Sequence, residues 1–164
     1  MTGLRVGTGF DAHRLVEGRD LVLGGVPIPS DRGLEGHSDG DCLVHAVCDA
    51  LLGAAAAGDM GRYFPSSDER WRGVSSLRFL EETHRIVTER GYAVVNLDVT
   101  VIARAPALAP YADRIRRVLG DHLRIDLDAV SVKAKSTDGL GALGRGDGIA
   151  AQAVVLIQKK DERE

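Results

Sequence analysis

The sequence predicts one domain of the α/β (α+β) class, in which a mixed four-stranded β-sheet carries helices on one face and an extra short hairpin. Its length of 164 residues is enough to bury a core but fits a single domain. Segments with strand periodicity alternate with segments of helical periodicity. Closely spaced strands also favour hairpins, so parallel and antiparallel pairs are expected in one sheet. We place the domain at residues 1–158 and a charged C-terminal tail at residues 159–164.

Alternating or continuous apolar residues predict four strands for the main sheet, which are Leu4–Phe10, Val94–Arg104, Val130–Lys135 and Ile149–Gln158. In the second of these strands the apolar side chains share one face and the polar side chains share the other. The apolar face is predicted to hold Val95, Leu97, Val99 and Val101, and the polar face Asn96, Asp98 and Thr100. The segment Leu21–Ile28 is interrupted by two glycines and predicts a hairpin at a sheet edge.

Three segments have the helical period, and they cover Asp41–Ala57, the stretch from Ser75 or Ser76 to Gly91, and the stretch from Pro110 to about His122. Ser38 or Asp39 is expected to cap the first helix, and Ser75 or Ser76 the second. Between these two helices, residues 58–73 are polar and contain a proline. We expect a loop there, and long loops in small domains are often functional.

Composition excludes several classes of function. The net charge is −3, with acidic and basic residues interspersed, so no broad basic face predicts binding to nucleic acid or to an anionic membrane. No N-terminal signal and no apolar run long enough to span a membrane are visible. We therefore expect a cytoplasmic protein. Cys42 and Cys48 lie six residues apart on one predicted helix and point in different directions, so no disulfide is expected between them.

Two short segments predict a metal site. Asp11 and His13 are two residues apart at the end of the first strand, so an extended backbone directs both side chains to one face. His45 projects from the first turns of a predicted helix. One carboxylate and two imidazoles suit zinc or a similar divalent ion, and three protein ligands leave a position open for catalysis. The alternative is a turn-forming aspartate beside a solvated histidine.

The remaining histidines, His84 and His122, lie in amphipathic helices and are interpreted as structural. Asp49 follows His45 by four residues, on the same helical stripe. This spacing predicts that Asp49 orients the His45 ring as a hydrogen-bond acceptor. A solvated helix carboxylate is an equally good interpretation.

A glycine-rich stretch from Lys133 to Gly148 has the lysines, hydroxyls and free backbone amides that a polyphosphate needs, although it lacks the Walker pattern. Lys133 and Lys135 share one face of the predicted strand, and at least one is expected to meet phosphate. A flexible connection between strands is the alternative. Gly7-Thr8-Gly9 lacks the third glycine of a dinucleotide fingerprint, so a Rossmann site is rejected.

Seven motifs along the chain occur together in one known family. They are Gly9-Phe-Asp-Ala-His13, Gly36-His-Ser-Asp-Gly-Asp41, His45, Asp49-Ala-Leu-Leu-Gly-Ala54, Gly58-Asp-Met-Gly61, Phe64-Pro65 and Gly144-Arg-Gly-Asp-Gly148. Together they resemble the 2-C-methyl-D-erythritol 2,4-cyclodiphosphate synthase family of the non-mevalonate isoprenoid pathway. The resemblance covers essentially the whole chain.

This resemblance implies a phosphorus–oxygen lyase that cyclises 4-diphosphocytidyl-2-C-methyl-D-erythritol 2-phosphate and releases CMP. It also implies a homotrimer whose sheets face the threefold axis and whose active sites lie between subunits. A divalent metal, usually Zn²⁺, is expected at Asp11, His13 and His45, and Mg²⁺ or Mn²⁺ with the substrate diphosphate near Asp138. His37 and Ser136 take the catalytic positions that stabilise the transition state.

The resemblance assigns further residues to substrate binding. The phosphate positions are His37, Ser38, Lys135, Ser136, Thr137 and Asp138, and further substrate-binding positions are Asp11, Ala12 and His13. The erythritol positions are Asp59, Met60, Gly61, Phe64, Pro65, Ser66, Ser67 and Asp68. The cytidine positions are Ala103, Arg104, Ala105, Pro106, Ala107, Leu108 and Ala109. Ala142 and Arg145 match positions that face a cavity on the trimer axis.

Four residues depart from the family pattern. Ser66 stands where many members have aspartate, whereas Ser136 and Asp138 replace a threonine and a glutamate but keep the hydroxyl and the carboxylate. Ala142 replaces a phenylalanine found in some members. Two other functions fit the metal cluster: a metal-dependent phosphohydrolase, in which water attacks and the product is linear, and a zinc-stabilised oligomer that only binds nucleotides.

Overall fold

The computed structural model describes residues 3–160, and this range contains seven strands and five α-helices. The strands are β1 (Leu4–Glu17), β2 (Leu21–Leu23), β3 (Val26–Ile28), β4 (Arg32–Leu34), β5 (Tyr92–Ile102), β6 (Val130–Lys135) and β7 (Gly148–Lys159). The helices are α1 (Cys42–Ala54), α2 (Met60–Tyr63), α3 (Ser76–Glu89), α4 (Ala112–Leu123) and α5 (Gly141–Arg145).

Five of the strands form the main sheet, in the order β4-β1-β7-β5-β6. β5 and β6 are parallel, whereas β7 runs antiparallel to its neighbours β1 and β5, so the sheet is mixed. β2 and β3 pair only with each other, as a separate hairpin. The predicted class, mixed sheet and hairpin are confirmed, but the predicted number of four strands is wrong. The additional strand β4 has three residues, too few for an alternating pattern to be recognised.

The helices cover one face of the sheet, where α1 packs across β1 and β7 and α4 packs beside β6. The other face carries apolar side chains that are exposed in the structure of residues 3–160. Val6 and Phe10 on β1 are 64% and 60% exposed, and Val154 on β7 is 39% exposed. The two faces of β1 therefore differ in kind: one is buried under α1, and the other is apolar and open.

Two glycines of β1 allow α1 to lie unusually close to the sheet. A Cβ atom on Gly7 would lie 2.0 Å from the carbonyl oxygen of Ala50, and one on Gly9 would lie 2.0 Å from that of Ala46. Both distances are far inside van der Waals contact, so no side chain fits at either position. Because side chains alternate along a strand, Asp11 and His13 face α1 as these glycines do.

The strand β1 continues well beyond its predicted end at Phe10. It pairs with β7 as far as Arg14 and with β4 from Leu15 to Glu17. Asp11 and His13 therefore lie inside a paired strand and not at its end. The pairing with β7 fixes the backbone of both residues.

The N-cap of α1 is Asp41, and the predicted cap at Ser38 or Asp39 is wrong. The Asp41 carboxylate accepts hydrogen bonds from the backbone N–H groups of Val44 at 3.1 Å, Gly24 at 3.0 Å and Gly25 at 2.7 Å. It thus joins the start of the helix to the turn of the β2–β3 hairpin. Burial raises the pKa of this carboxyl to about 6, and the three N–H donors favour its ionised form.

A β-bulge between Val94 and Asn96 changes which residues of β5 face the core. Val94 is buried and Val95 is 38% exposed, so the predicted burial of Val95 is wrong. One extra residue in a strand reverses the alternation on one side of the bulge. Leu97, Val99 and Val101 follow the bulge and are buried as predicted.

Three further segments differ from the prediction or extend it. The cap of α3 is Ser75, as one of the two alternatives predicted. The predicted loop at residues 58–73 contains α2 and a 3₁₀ turn at Glu69–Trp71. β7 extends to Lys159, and the Lys160 N–H donates to the Gly91 carbonyl at 2.8 Å, so the first two residues of the predicted tail are bound to the domain. Residues 161–164 lie outside the described residues.

Within residues 3–160, none of the helices has the length and apolar character needed to cross a bilayer.

We expect Gly7→Ala to lower the free energy of unfolding by about 1–3 kcal/mol or more, because the added methyl group overlaps the backbone of α1. Gly53→Ala is the matched control: it adds the same atom to α1 itself, 3.9 Å from the nearest neighbour, and should raise stability by up to about 1 kcal/mol. Urea unfolding at a fixed protein concentration measures both. Equal stability of the two variants would contradict the close approach of α1 and β1.

Candidate metal and phosphate site

Three side chains from β1 and α1 meet at the centre of the candidate site. The Asp11 Oδ2 atom lies 2.9 Å from His13 Nε2 and 2.9 Å from His45 Nδ1. The two imidazole nitrogens are 3.3 Å apart. One atom from each residue lies within 4.8 Å of the others, so one ion can contact all three. The predicted convergence of Asp11, His13 and His45 is confirmed.

The His13 ring is oriented by a backbone carbonyl. Its Nδ1 atom lies 2.5 Å from the Glu35 carbonyl oxygen, which only accepts hydrogen bonds. Nδ1 therefore carries a proton and donates it, so in the neutral ring Nε2, the atom that faces Asp11 and His45, is the nitrogen with the lone pair. A backbone acceptor behind a histidine is a common arrangement around protein-bound metals.

The charges of the cluster reinforce each other. Burial opposes ionisation of Asp11, but hydrogen bonds from His13 and His45 outweigh it and hold the pKa of this carboxyl well below its usual range. The hydrogen bond with Asp11 in turn raises the pKa of His13. Asp11 is therefore ionised at neutral pH, which is the form that binds a cation.

These residues fit a tetrahedral divalent ion in ligand type and spacing. Ligands at about 2.0–2.1 Å from a tetrahedral zinc lie about 3.3 Å from one another. The separation of His13 Nε2 and His45 Nδ1 is 3.3 Å, and each lies 2.9 Å from Asp11 Oδ2. After small outward shifts of the Asp11 carboxylate, the three atoms would hold such an ion.

His37 and Ser38 lie on a loop that Arg19 holds by its backbone. The Arg19 guanidinium donates to the Gly36 carbonyl at 2.8 Å and to the Ser38 carbonyl at 2.7 Å. Between these two anchors, His37 Nε2 donates to the Asp68 carbonyl at 3.2 Å. The Ser38 hydroxyl is buried and lies 3.3 Å from His45 Nε2, so it faces the ring of His45.

Asp49 does not orient His45. Both ring nitrogens of His45 have other partners, since Nδ1 bonds to Asp11 and Nε2 lies 2.9 Å from the Ser76 hydroxyl. Asp49 instead accepts a hydrogen bond from the Met60 N–H at 2.8 Å. The spacing of four residues placed it on the correct stripe of α1, but one turn too far from the ring.

The segment at residues 59–68 borders the cluster. Asp59 caps α2, and its Gly61 is exposed. Phe64 is buried and stacks on Phe79, with ring centres 4.8 Å apart, which anchors the segment to α3. Pro65, Ser66 and Ser67 have no hydrogen bond of their own side chains among the described contacts, and both serines are exposed. Asp68 forms an ion pair with Arg70 at 2.6 Å.

A second group of predicted residues lies at the ends of β5 and β6. The backbone N–H of Ala103 donates to the Lys135 carbonyl at 3.0 Å and joins the two segments. A pocket of about 230 Å³ lies between them. It is lined by Ala103, Arg104, Pro106, Ala107, Leu108, Ala109, Ala134 and Lys135. Ala105 is exposed beside it.

The hydroxyl and carboxylate groups after β6 are exposed and close together. Ser136 donates to the Asp138 carboxylate at 3.0 Å, and Thr137 donates to the Leu140 carbonyl at 2.7 Å. Lys133 is engaged in an ion pair with Asp98 at 2.5 Å, which leaves Lys135 as the lysine of this strand that lines the pocket.

Ala12 and Ala142 line another pocket, of about 550 Å³, which His13 of the metal cluster also lines. Arg145 lies next to this pocket and forms an ion pair with Asp147 at 3.0 Å. Ala12 and Ala142 therefore share a pocket with one side chain of the metal cluster.

The metal cluster and the phosphate segment after β6 lie near opposite ends of one row of paired residues that crosses the sheet. Ala12 pairs with Ala150, Ala150 with Ile102, and Ile102 with Lys135. Three strand spacings separate the ends of this row, which corresponds to about 14 Å. Within one chain, the metal cluster and the phosphate segment therefore share an edge of the sheet but do not touch across it.

Comparison with known proteins places the chain in a family. The family model described as YgbB matches residues 4–158. The chain belongs to the YgbB family. A curated relative of the family from Laribacter hongkongensis, named 2-C-methyl-D-erythritol 2,4-cyclodiphosphate synthase, is 57% identical over 96% of this chain and 97% of its own length. A YgbB relative of the same name from Desulfosudis oleivorans is 53% identical over 98% and 96%. The resemblance predicted from the sequence is confirmed.

Solved structures agree with this YgbB assignment. A 2C-methyl-D-erythritol-2,4-cyclodiphosphate synthase solved in a form bound to CDP has a TM-score of 0.87 and 40% identity, and covers 94% of this chain and 100% of its own. The bifunctional IspDF from Campylobacter jejuni has a TM-score of 0.94 and 35% identity, over 98% of this chain and 44% of its own.

Several residues around the cluster of this YgbB protein were not predicted from the sequence. Arg19 and the Glu35 carbonyl act on the site through hydrogen bonds to or from the backbone, which no side-chain motif reveals. Asp39 and Ser76 were considered only as helix caps. The sequence did contain one indication for Asp39. It lies inside the His37–Asp41 motif, between the site residues His37 and Ser38 and the start of α1.

His45→Ala should abolish tight binding of a divalent ion such as Zn²⁺ while the protein stays folded, because it removes one of the three side chains of the cluster. His84→Ala is the matched control, since it removes a half-buried histidine from α3 outside the cluster. Zinc content after dialysis, read by atomic absorption, and far-ultraviolet circular dichroism test both statements. Full zinc occupancy in His45→Ala would exclude His45 as a ligand.

Proposed function

We propose that this site cyclises 4-diphosphocytidyl-2-C-methyl-D-erythritol 2-phosphate to 2-C-methyl-D-erythritol 2,4-cyclodiphosphate and releases CMP, in the non-mevalonate isoprenoid pathway. The observation that carries the proposal is the Asp11, His13 and His45 cluster in a chain that matches cyclodiphosphate synthases at 53% and 57% identity over nearly their whole length. The chain is accordingly an enzyme, a phosphorus–oxygen lyase.

The reaction needs no nucleophile from the protein, because the substrate supplies its own. An oxygen of the 2-phosphate forms a bond to the β-phosphorus of the diphosphate. The bond from that phosphorus to the bridging oxygen breaks, and CMP leaves with this oxygen and the electron pair. Holding the two ends in contact contributes roughly 7–11 kcal/mol, the range for well-oriented intramolecular reactions.

His37 and Ser136 are the residues that we assign to the transition state. Both have polar hydrogens that are able to donate to phosphate oxygens, where negative charge increases during the reaction. Three observations support the roles: His37 already acts as a donor, at 3.2 Å from the Asp68 carbonyl; Arg19 fixes its loop; and the Ser136 hydroxyl is exposed.

We assign Zn²⁺ to the Asp11, His13 and His45 cluster, because two imidazoles and one carboxylate are typical zinc ligands. An ion there supplies a Lewis acid for a phosphoryl oxygen. Mg²⁺ or Mn²⁺ is assigned to the substrate diphosphate near Asp138, whose exposed carboxylate is the oxygen ligand that these ions prefer.

The remaining contacts are assigned by position. The pocket between Ala103 and Lys135 is proposed to hold cytidine through backbone groups, with Lys135, Ser136 and Thr137 near the phosphates. The segments 59–61 and 64–68 are proposed to hold the erythritol. At Ser66 the shorter hydroxyl offers one contact to the sugar in place of a carboxylate.

We propose that the protein is a homotrimer with its sheets facing the threefold axis and its active sites between subunits. Two observations support this arrangement. The open face of the sheet carries exposed Val6, Phe10 and Val154, which a second copy of the sheet would cover. The separation of about 14 Å between the metal cluster and the phosphate segment would be shortened if each group faced its complement on a neighbouring subunit.

A cytoplasmic location is proposed as well. Cys42 and Cys48 are both buried and free, as is usual for proteins kept in a reducing compartment. We further propose that the functional domain is the matched segment, with the last charged residues as a tail.

The purified protein with Zn²⁺ and Mg²⁺ should convert the substrate to equal amounts of CMP and a cyclic diphosphate. Phosphorus NMR distinguishes the cyclic product from linear phosphates. A linear product with inorganic phosphate would instead identify a phosphohydrolase. Chelation should abolish turnover but leave the oligomer intact, as measured by light scattering; dissociation or melting on chelation would favour a zinc-stabilised binding protein.

Mixing two inactive variants tests whether sites lie between subunits. His45→Ala disables the metal half and Ser136→Ala the phosphate half. In a randomly mixed trimer made from equal amounts, about a quarter of the interfaces combine two intact halves, so activity should return to roughly that fraction of the wild type. Mixtures as inactive as the separate variants would show that each site belongs to one chain.

A further inference from the structure

We propose that Asp39 and Ser76 are positioning residues that fix the ring of His45 for metal binding through a chain of two hydrogen bonds. The proposal rests on the metal site described above. It concerns the side of the ring that faces away from the metal, and it assigns a role to two residues that the sequence identified only as alternatives for helix caps.

The direction of the chain follows from which atoms are able to donate. Asp39 uses both carboxylate oxygens as acceptors: Oδ2 accepts from the Ser76 N–H at 2.9 Å, and Oδ1 accepts from the Ser76 hydroxyl in a short hydrogen bond. The single proton of the Ser76 hydroxyl is therefore committed to Asp39. Its oxygen faces His45 Nε2 at 2.9 Å and must accept.

This direction decides the tautomer of His45. Nε2 carries a proton, so in the neutral ring Nδ1, the atom that faces Asp11 and His13, is the nitrogen with the lone pair. Without the chain, the neutral ring has two tautomers, and one of them presents an N–H to the metal position. The chain removes that tautomer in advance and so lowers the free-energy cost of binding the ion.

The chain is rigid because it joins two elements that are fixed independently. Ser76 is fully buried at the start of α3, behind its cap Ser75. Asp39 lies on the loop before α1, and its backbone N–H donates to the Val74 carbonyl at 3.1 Å. Phe79, one turn along α3, lies beside the His45 ring at 6.0 Å between centres. The ring is thus held at its edge and along one side.

The Ser38 hydroxyl provides a weaker second partner. It lies 3.3 Å from His45 Nε2 and 3.5 Å from the Ser76 hydroxyl. When the Ser76 hydroxyl is removed, Ser38 retains part of the interaction. The expected effect is therefore a partial loss of affinity and not the complete loss expected for His45→Ala.

The test is the zinc affinity of the metal-depleted protein, measured by competition with a chromophoric chelator and without substrate. Ser76→Ala should weaken zinc binding 10–100-fold, the range for removing a hydrogen-bond partner of a metal ligand. Asp39→Ala should weaken it as well. The double variant should be no worse than the weaker-binding single variant, because both changes break the same chain. Ser76→Thr, which keeps the hydroxyl, should recover most of the affinity.

Ser75→Ala is the matched control, since it removes the neighbouring hydroxyl, which caps α3 and does not face His45. It should lower the unfolding midpoint and leave zinc affinity unchanged. If Ser76→Ala does not fold, Asp39→Asn provides the same test, because Asp39 is more exposed than Ser76. Asp39→Asn should also weaken zinc binding. A folded Ser76→Ala or Asp39→Asn with zinc affinity within about twofold of the wild type would overturn the proposal.

The outcomes separate this proposal from the proposed reaction. A protein that shows these zinc affinities but forms no cyclic product supports the positioning chain and contradicts the cyclase function. A protein that forms the product while its zinc affinity is insensitive to Ser76 and Asp39 supports the function and contradicts the chain.

Discussion

The close approach of α1 to β1 is the constraint on which the rest of the structure depends. Gly7 and Gly9 leave no space for side chains beneath the helix, and the backbone of α1 occupies that space. The same face of the strand then continues with Asp11 and His13, directly opposite the first turn of the helix, where His45 lies. A metal cluster is thus built from two regular elements in contact, and neither a loop nor a change of conformation is needed to assemble it.

Hydrogen bonds around the cluster explain how its three side chains keep their geometry. His13 is oriented by the Glu35 carbonyl, His45 by Ser76, and Asp11 by both imidazoles. Each histidine therefore has a hydrogen-bond partner on the side of its ring that faces away from the cluster, and Asp11 has its partners within the cluster. Because the reaction assigned to the site is intramolecular, this preorganisation and the placement of phosphate donors account for most of what the protein contributes to catalysis.

Much of the fold and the centre of the site was predictable from the sequence, for reasons that particular residues make clear. Asp11 and His13 share a face because of strand geometry, and motif spacing connected them to His45. The bounds of β6 were predicted correctly from its alternation. The sequence did not reveal β4, which is too short, or the exposure of Val95, which depends on a bulge. The prediction that Asp49 orients His45 was wrong, because the residue that contacts the ring is Ser76. Ser76 lies on a helix that is distant in the chain, so spacing along the sequence does not reveal this contact.

A crystal structure of the zinc-loaded protein with CMP, with the metal located by anomalous scattering at the zinc edge, tests the central claim most directly. The account predicts one zinc ion per chain, bound by Asp11 Oδ2, His13 Nε2 and His45 Nδ1, with CMP in the pocket beside Ala103. A zinc ion bound elsewhere, or bound to His45 through Nε2, would contradict it.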